Sequence, residues 1–247
     1  MANLEEFWDS PQSVARYAAA PFLFKGEELA LPASRSKGLR GAHVLDLACG
    51  AGRTTCFLYQ MGAHVVGVDI SQNLIAAARK NFPGIDFRVG DATALEFDDD
   101  SFDLVLVSFN SLDCLYPKQA RLQCLKEIRR VLRPQGALVF SHHNLAALIF
   151  GWYRSMRPSK LAYRLRHILS GEAFRAECFL PEMEIPGMST YYAWPHHVIE
   201  DLRSVGFETL HTFPNDPVLD YAQRRFHVEW LTRLADPWPY YVCRRVS

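Results

Sequence analysis

The strongest constraint on the fold of this chain is the sequence VLDLACGAGR at residues 44–53. Its first half is continuously apolar rather than alternating, which is typical of a strand buried on both faces of a parallel sheet. Gly50 and Gly52 then allow a tight turn and a close approach of main chain to a ligand. The residues from Thr54 to Met61 can form a helix whose free N–H groups point back at that turn. The stretch therefore predicts a strand–turn–helix unit with a ligand site at the carboxyl end of the strand.

The same stretch departs from the fingerprint of a dinucleotide-binding loop. That fingerprint requires the spacing G-x-G-x-x-G, and Thr55 occupies the third glycine position. Asp46 also places a carboxylate directly before the turn, which is unfavourable for a diphosphate and suits a cationic ligand. A purely structural turn would use the same glycine pair, so the interpretation depends on the rest of the chain.

Four further apolar runs follow this unit. They span residues 65–70, 87–92, 102–110 and 132–140. The segments 71–81 and 117–132 between them have helix-compatible patterns, and strands that alternate with helices predict a parallel sheet with right-handed crossovers. Asp69 and Asp91 stand near the ends of the first two runs. Asp69 lies about 20 residues after the glycines, where this architecture places a carboxylate that binds a ribose.

Over residues 40–144 these five ordered motifs resemble those of the class I S-adenosylmethionine-dependent methyltransferases. The resemblance implies an α/β fold of the Rossmann-like, three-layer doubly wound type. Its sheet would have seven mostly parallel strands and an antiparallel C-terminal strand, with a helical lid insertion. We expect a single domain that comprises N-terminal helices (1–37), a cofactor-binding core (38–144), the lid insertion (145–194) and a C-terminal helix with antiparallel strands (195–247).

The resemblance implies S-adenosylmethionine as the cofactor and S-adenosylhomocysteine as its product. The residues that it assigns to cofactor binding are Tyr17, Asp46, Ala48, Gly50, Gly52, Asp69, Ile70, Asp91, Ala92 and Ser108. Among them, Asp69 would accept hydrogen bonds from both ribose hydroxyls and Asp91 would accept one from the adenine amino group. Asp46 would orient the glycine loop or help to bind the amino-acid end. Strand-end capping by Asp69 and Asp91, and packing of Tyr17 on the sheet, are the alternative roles.

Two adjacent histidines are the candidates for a catalytic base. Methyl transfer is an in-line displacement, so a base is needed only where the acceptor must lose a proton. His142 and His143 follow the fifth strand, and the unperturbed pKa of a histidine lies near 6.5. Neighbouring residues of a strand point in opposite directions, so we expect only one of the two, with His143 preferred, to face the cleft. The stretch 110–113 lacks a D/N-P-P-Y/F sequence, which argues against methylation of the amino group of adenine or of protein amides.

The insertion is basic and rich in aromatic residues, and three interpretations of it are open. It can be a lid whose apolar side covers a small substrate while its arginines face water. It can instead recruit an anionic acceptor, a carboxylate or a phosphate, through Arg154, Arg157 or Arg164. Contact with RNA is the third interpretation, because aromatic side chains between basic ones suit base stacking.

Composition narrows the class of protein further. A chain of 247 residues that is 49% hydrophobic can bury one full core. With 27 basic and 27 acidic residues its formal net charge is zero, which gives no argument for nucleic acid or an anionic membrane. No apolar run approaches the roughly 18 residues that span a bilayer, and the N-terminus has no signal-peptide pattern. Six scattered cysteines without C-x-x-C pairs indicate reduced thiols, so we expect a cytoplasmic protein without a metal site.

These observations favour a methyltransferase that acts at an oxygen or nitrogen of a small molecule. An RNA- or protein-directed methyltransferase is one rival, and a nicotinamide-dependent oxidoreductase is opposed by Thr55 and by the additional acid Asp91. A regulatory protein that binds the cofactor without turnover would carry the same motifs. The sequence leaves the acceptor undecided, and a homodimer is compatible with it.

Overall fold

The computed structural model describes residues 4–18, 21–151, 158–181 and 188–246. In these ranges the strands are β1 (His43–Leu47), β2 (His64–Asp69), β3 (Asp86–Val89), β4 (Phe102–Val107), β5 (Leu132–Ser141), β6 (His143–Asn144), β7 (Glu177–Pro181), β8 (Ser189–Ala193), β9 (Phe207–Phe213) and β10 (Tyr240–Arg245). The helices are α1 (Leu4–Trp8), α2 (Pro11–Tyr17), α3 (Lys25–Ser34), α4 (Thr55–Gln60), α5 (Gln72–Asn81), α6 (Lys118–Val131), α7 (Ala147–Phe150), α8 (Pro158–Leu169), α9 (Pro195–Ser204), α10 (Pro217–Phe226) and α11 (Glu229–Ala235).

Seven of these strands form one sheet in the order β3-β2-β1-β4-β5-β10-β9. The first five run parallel to one another, and β10 is antiparallel to both β5 and β9. The order reverses between β1 and β4, which makes the carboxyl ends of these strands a topological switch point. The predicted sheet, including its antiparallel end, is confirmed.

The core lies on both faces of this sheet. Leu45 and Leu47 of β1 belong to one apolar cluster, and Val44 belongs to the cluster on the opposite face. Side chains alternate along a strand, so a strand covered on both faces must be apolar at every position that is not functional. The apolar run that begins at Val44 is therefore continuous because helices cover the sheet on both faces.

The insertion between β5 and α9 contains strands as well as the predicted helices. β6, β8 and β7 form a separate three-stranded sheet in that order, with β7 antiparallel to β8. Leu145, Leu180 and Tyr192 are buried in the apolar cluster beneath this sheet and the adjoining helices α7 and α8. The chain thus leaves the main sheet at the end of β5 and enters the small sheet after one intervening residue.

The N-terminal helices are anchored over the carboxyl end of the main sheet. α2 begins after Ser10, whose hydroxyl accepts a hydrogen bond from the backbone N–H of Ser13. The carboxylate of Asp9 accepts hydrogen bonds from the Ser71 hydroxyl and the Asn73 backbone N–H, both at 2.8 Å. α2 ends at Tyr17 and α3 at Ser34, so both lie in the range 1–37 predicted for N-terminal helices.

Candidate active site

A cavity of about 260 Å³, here called the main cavity, lies at the carboxyl ends of β1, β2 and β4. The residues predicted to contact a cofactor that line it are Tyr17, Ala48, Gly50, Asp69, Ile70, Asp91, Ala92 and Ser108. Asp46 and Gly52 are the two predicted residues that do not line it. Parallel strands bring their carboxyl ends to one edge of a sheet, which is why residues so far apart in the chain meet here.

Asp69 connects the two loops on one side of the main cavity. Its Oδ2 accepts a hydrogen bond from the backbone N–H of Gly50 at 2.8 Å, and its Oδ1 accepts one from that of Ser71 at 2.9 Å. Burial raises the pKa of Asp69 above its usual value, against these hydrogen bonds. A carboxylate oxygen has two lone pairs, so each oxygen can still accept a hydrogen bond from a ligand in the cavity. Asp69 therefore caps the strand end and also presents acceptors to the cavity.

Of the two roles that the resemblance left open for Asp46, its contacts agree with orientation of the glycine loop. Its side chain is buried, and Oδ2 accepts hydrogen bonds from the hydroxyls of Thr54 at 2.7 Å and Thr55 at 2.6 Å. Burial raises the pKa of Asp46 to about 6, against these two hydrogen bonds. Asp46 therefore ties the end of β1 to the start of α4 and orients the glycine loop, and it does not present a charge to the main cavity.

The two glycines of the loop serve different purposes. Gly50 has φ +55°, lines the main cavity and leaves open space where a side chain would stand. Gly52 has φ +86°, and a Cβ added to it would lie 2.9 Å from Cζ of Phe87. Gly50 thus permits a ligand to approach the backbone, and Gly52 permits close packing of the loop against the aromatic side chain of β3.

Asp91 lies at the exposed rim of the main cavity, after β3. Its Oδ1 accepts hydrogen bonds from the backbone N–H and the hydroxyl of Thr93, both at 2.8 Å. This contact is a local turn that orients the carboxylate, and it leaves Oδ2 available to a donor in the cavity.

A buried ion pair on the other side of the main cavity was not predicted. Glu27 of α3 is fully buried, and both of its oxygens accept from the Arg53 guanidinium, at 2.6 and 2.8 Å. Ser108 donates a short hydrogen bond to the same carboxylate and lies 2.9 Å from the Tyr240 hydroxyl. The neighbouring Glu28 is exposed, and nothing in the sequence distinguishes these two glutamates. Arg53 itself lines the cavity, so this cluster fixes a cation beside it.

Aromatic side chains form the wall that faces the N-terminal helices. The rings of Phe24 and Phe109 are stacked, with centroids 5.4 Å apart. Tyr17 packs edge-on against Phe109 and against Trp8, and Trp238 contacts Phe109 from the far side. Tyr17 therefore packs over the sheet and also lines the main cavity, where its contact with a cofactor stays a prediction.

A second, smaller cavity of about 40 Å³ adjoins the main cavity and shares Trp8, Arg16, Phe109, Ser111 and Cys114 with it. The polar side chains of Asn110, His143 and Thr190 face this small cavity. The two cavities together form one site with a larger and a smaller compartment.

The two histidines converge on one carboxylate, and of the two only His143 lines a cavity, as expected. Nδ1 of His142 lies 2.8 Å from Oδ1 of Asp113, and Nδ1 of His143 lies 2.9 Å from Oδ2 of the same carboxylate. The expectation that they point in opposite directions is wrong, because β5 ends at Ser141 and His142 lies between two sheets. His142 is buried and lines neither cavity, whereas His143 lines the small one. Burial alone would raise the pKa of Asp113, but the two imidazoles hold it well below its usual value.

The basic residues of the insertion take little part in this site. Arg154 and Arg157 lie outside the described residues. Arg164 donates a hydrogen bond to the carbonyl of Gly151 at 2.6 Å and lines neither cavity. Within the described ranges, no cluster of histidine, cysteine or acidic side chains could hold a metal ion, and no helix has the length and apolar character needed to cross a membrane.

Comparison with known proteins agrees with this geometry. A family model described as a methyltransferase domain matches residues 44–136. The chain is 38% identical over 169 residues to a demethylmenaquinone methyltransferase of Streptomyces avermitilis, which corresponds to 66% of this chain and 67% of that protein. It is 40% identical over 102 residues to the protein of that name from Clavibacter sepedonicus, 40% of each chain. The chain spans 40% to 61% of the length of four such curated relatives.

The fold is shared by solved methyltransferase structures. The CcbJ methyltransferase of Streptomyces caelestis superposes with a TM-score of 0.66 at 18% identity, over 99% of this chain and 100% of that one. At this identity the similarity concerns the fold alone. Taken with the family model and the Streptomyces avermitilis relative, the strand order and the glycine loop define the class. The chain belongs to the class I S-adenosylmethionine-dependent methyltransferases, whose cofactor is S-adenosylmethionine.

Proposed function

We propose that this chain transfers a methyl group from S-adenosylmethionine to an oxygen or nitrogen atom of a small molecule. The observation that carries the proposal is the two-compartment site, in which the main cavity lies against the glycine loop and Asp69 and shares a wall with the small cavity. The relatives named demethylmenaquinone methyltransferases support a small organic acceptor over a macromolecule.

The residues of the main cavity fit the proposed cofactor chemically. Asp69 retains acceptor capacity for a ribose diol, and the orientation of Asp91 by Thr93 suits an amino-group donor. The open space at Gly50 allows the backbone to approach the amino-acid portion. Arg53 adds a fixed positive charge that suits a carboxylate, although Glu27 already neutralises most of it. We assign cofactor binding to these residues and to Tyr17, and we assign loop support to Asp46 and Gly52.

The bound cofactor would supply a methyl group on a positively charged sulfur. In the transfer, a lone pair of the acceptor atom forms the new bond to carbon, and the electron pair of the carbon–sulfur bond stays on sulfur. The chain contributes chiefly by holding acceptor and methyl in line and by excluding water, and such positioning can be worth roughly 7–11 kcal/mol. The aromatic wall that includes Phe109 and Trp238 provides this enclosure. Any proton released from the acceptor passes to water, or to His143 where Nε2 exchanges its hydrogen bond from the Asn110 amide for one from the acceptor.

The proposed setting is the cytoplasm. The six cysteines are all free, four of them buried, which is the pattern of a chain kept in a reducing compartment. This part of the proposal would be tested by fractionation of cells that express the full chain.

Calorimetric titration with S-adenosylhomocysteine, with NAD as the comparison ligand, tests the proposal. We expect micromolar binding of S-adenosylhomocysteine and none of NAD. Binding of NAD alone, or of neither ligand, would contradict it. To separate an enzyme from a regulatory protein that binds cofactor, we would then follow the demethylation of S-adenosylmethionine across a panel of hydroxylated and amino metabolites. Cofactor binding without turnover of any of them would favour the regulatory role.

A further inference from the structure

The side chain of Asn110 presents an acceptor that no group in the described part of the chain uses. Asn110 is 3% exposed and lines the small cavity. Its Oδ1 is buried and has no hydrogen-bond partner among the described residues. A buried carbonyl oxygen without a partner costs roughly 1–3 kcal/mol, so such an atom in a cavity wall indicates a missing donor.

The hydrogen-bond chain behind Asn110 determines which atom of its amide faces the cavity. Asp113 accepts hydrogen bonds from His142, from the backbone N–H of His143 and from Nδ1 of His143. An ionised carboxylate can only accept, so Nδ1 of His143 carries a proton. In the neutral ring Nε2 is then an acceptor, and the orientation of the Asn110 amide corresponds to this state. The amide nitrogen of Asn110 lies 3.2 Å from that Nε2 and donates to it. The amide oxygen is consequently the atom left for the cavity.

The backbone holds Asn110 in this position. Its φ of +57° is left-handed, a conformation that asparagine tolerates better than most residues. Its N–H donates to the hydroxyl of Ser141 at 2.7 Å, next to the point where the chain leaves the main sheet. The carboxylate, the imidazole and the carboxamide therefore lie in a fixed row that ends at the cavity.

We propose that Oδ1 of Asn110 accepts a hydrogen bond from the O–H or N–H group of the molecule to be methylated. His143 and Asp113 are positioning residues, which hold and polarise that amide through the hydrogen-bond chain. This inference rests on the proposed function, because it names the class of acceptor whose donor group enters the small cavity. Hydrogen bonds in a row strengthen one another, so the negative charge of Asp113 makes Oδ1 a stronger acceptor.

The chemistry of this row selects the substrate class. A hydroxyl or amine that donates to Oδ1 gains electron density on the atom that must attack the methyl carbon, without a full transfer of its proton. A carboxylate or phosphate lacks the proton and would face the lone pairs of Oδ1. The small cavity, at about 40 Å³, holds only the donor group, because a benzene ring needs roughly 150 Å³. The ring would lie where the two cavities meet, against the flat side chains of Trp8 and Phe109, which line both. The acceptor is therefore a neutral aromatic hydroxyl or amine rather than an anion.

Arg16 supplies the competing expectation. It lines both cavities at an exposed position and could instead attract an anionic acceptor. Asn110 favours tighter binding of a neutral donor, whereas Arg16 favours tighter binding of an anion. Comparing the affinities of neutral and anionic probes that carry the same ring therefore distinguishes the two expectations.

The test uses the full chain saturated with S-adenosylhomocysteine and titrated calorimetrically with 2-naphthol, 2-methoxynaphthalene or 2-naphthoate. Only 2-naphthol combines the ring with a donor, and one hydrogen bond predicts binding roughly fivefold tighter than that of 2-methoxynaphthalene. The Asn110→Gly variant keeps the left-handed backbone accessible, and in it the ratio of the affinities for 2-naphthol and 2-methoxynaphthalene should fall to about one. Equal affinities in the unaltered chain, no binding of either neutral probe, or tighter binding of 2-naphthoate would overturn the inference.

Variants of His143 test the positioning role. His143→Phe keeps a flat ring beside Tyr192 but has no hydrogen-bonding atoms, so the preference for 2-naphthol should be lost. His143→Gln can donate to Asp113 and accept from Asn110, and it should retain part of the preference. A merely structural role would lower the affinities for both neutral probes equally and leave their ratio unchanged, which would contradict the inference. Affinity for S-adenosylhomocysteine is measured in every variant, and its absence in the unaltered chain would contradict the proposed function instead.

Discussion

At the scale of single residues, two acids at the ends of neighbouring strands have opposite environments. Asp46 of β1 turns toward two threonine hydroxyls beneath the glycine loop, and Asp69 of β2 accepts from two backbone N–H groups at the cavity. Both are buried, and burial raises the pKa of each. Only Asp69 lines the main cavity, so only Asp69 is placed to discriminate ligands.

Replacement of Asp69 tests the cofactor assignment. We expect Asp69→Ala to weaken the binding of S-adenosylhomocysteine by at least tenfold, because it removes the acceptors offered to the ribose and releases the loop at Gly50. Calorimetric titration measures the change. Asp86→Ala is the matched control, since Asp86 is an exposed acid of the next strand that pairs with Arg88. Equal affinities of the two variants would refute the role given to Asp69.

At the scale of elements, one buried carboxylate joins four parts of the chain. Glu27 of α3 contacts Arg53 in the glycine loop, Ser108 after β4 and Tyr240 of β10. It also accepts from the backbone N–H of Phe24 at 2.6 Å, which caps its own helix. α3 thereby closes the main cavity from the side opposite Asp69.

Removal of the charge of Glu27 should lower the free energy of unfolding, and it should do so less when the charge of Arg53 is removed as well. Glu27→Gln leaves the Arg53 guanidinium without its charge partner, and removal of one member of a buried pair costs roughly 3–5 kcal/mol. Because Arg53 is partly exposed, we expect about 3 kcal/mol, measured by urea unfolding. The further change Arg53→Met should recover part of the loss, since no buried charge then lacks a partner. A double variant whose loss equals the sum of the two single losses would contradict this coupling.

The insertion is attached to the core by a second group of charges. Lys118 of α6 lies 3.1 Å from Glu177 of β7 and 2.9 Å from Asp201 of α9. The guanidinium of Arg121 lies 3.2 Å from the centre of the Tyr191 ring, a cation–π contact in a largely desolvated position. These contacts hold the small sheet against α6 and so support the wall that carries His143.

At the scale of the whole molecule, two buried carboxyls change the dependence of stability on pH in opposite directions. Burial raises the pKa of Asp46 from 3.8 to about 6. A carboxyl whose pKa is raised on folding contributes stability that is present below its unfolded pKa and is lost as the pH rises through the folded value. Asp113 acts in the opposite direction, because its pKa is lowered, and its contribution is lost at pH below about 4.

The Asp46→Asn variant isolates the first contribution. A shift of about two pKa units corresponds to about 3 kcal/mol, so the unfolding free energy of the variant relative to the unaltered chain should rise by about that much between pH 4 and pH 7. Urea unfolding of both proteins at steps of half a pH unit measures this difference in unfolding free energy. A difference that stays constant across the range would show that Asp46 does not titrate in this window.

The sequence by itself determined the class of fold and most of the main cavity. Continuous apolar runs predict strands covered on both faces, and parallel strands must end at one edge, so Asp69 and Asp91 could be assigned to one site from their positions alone. The same reasoning left two roles open for Asp46, because a strand-end acid can turn toward the loop or toward the cavity, and that choice depends on the hydroxyls of Thr54 and Thr55.

Only the tertiary structure decided the rest of the site. Glu27 is buried and Glu28 is exposed because of where α3 packs, and the local sequence does not predict which of two adjacent glutamates is buried. Likewise, His142 and His143 meet at Asp113 because the chain passes from one sheet to another between them, which breaks the alternation that a single strand imposes. Periodicity reports which face of an element is buried, whereas polar contacts between distant segments depend on how the elements pack together.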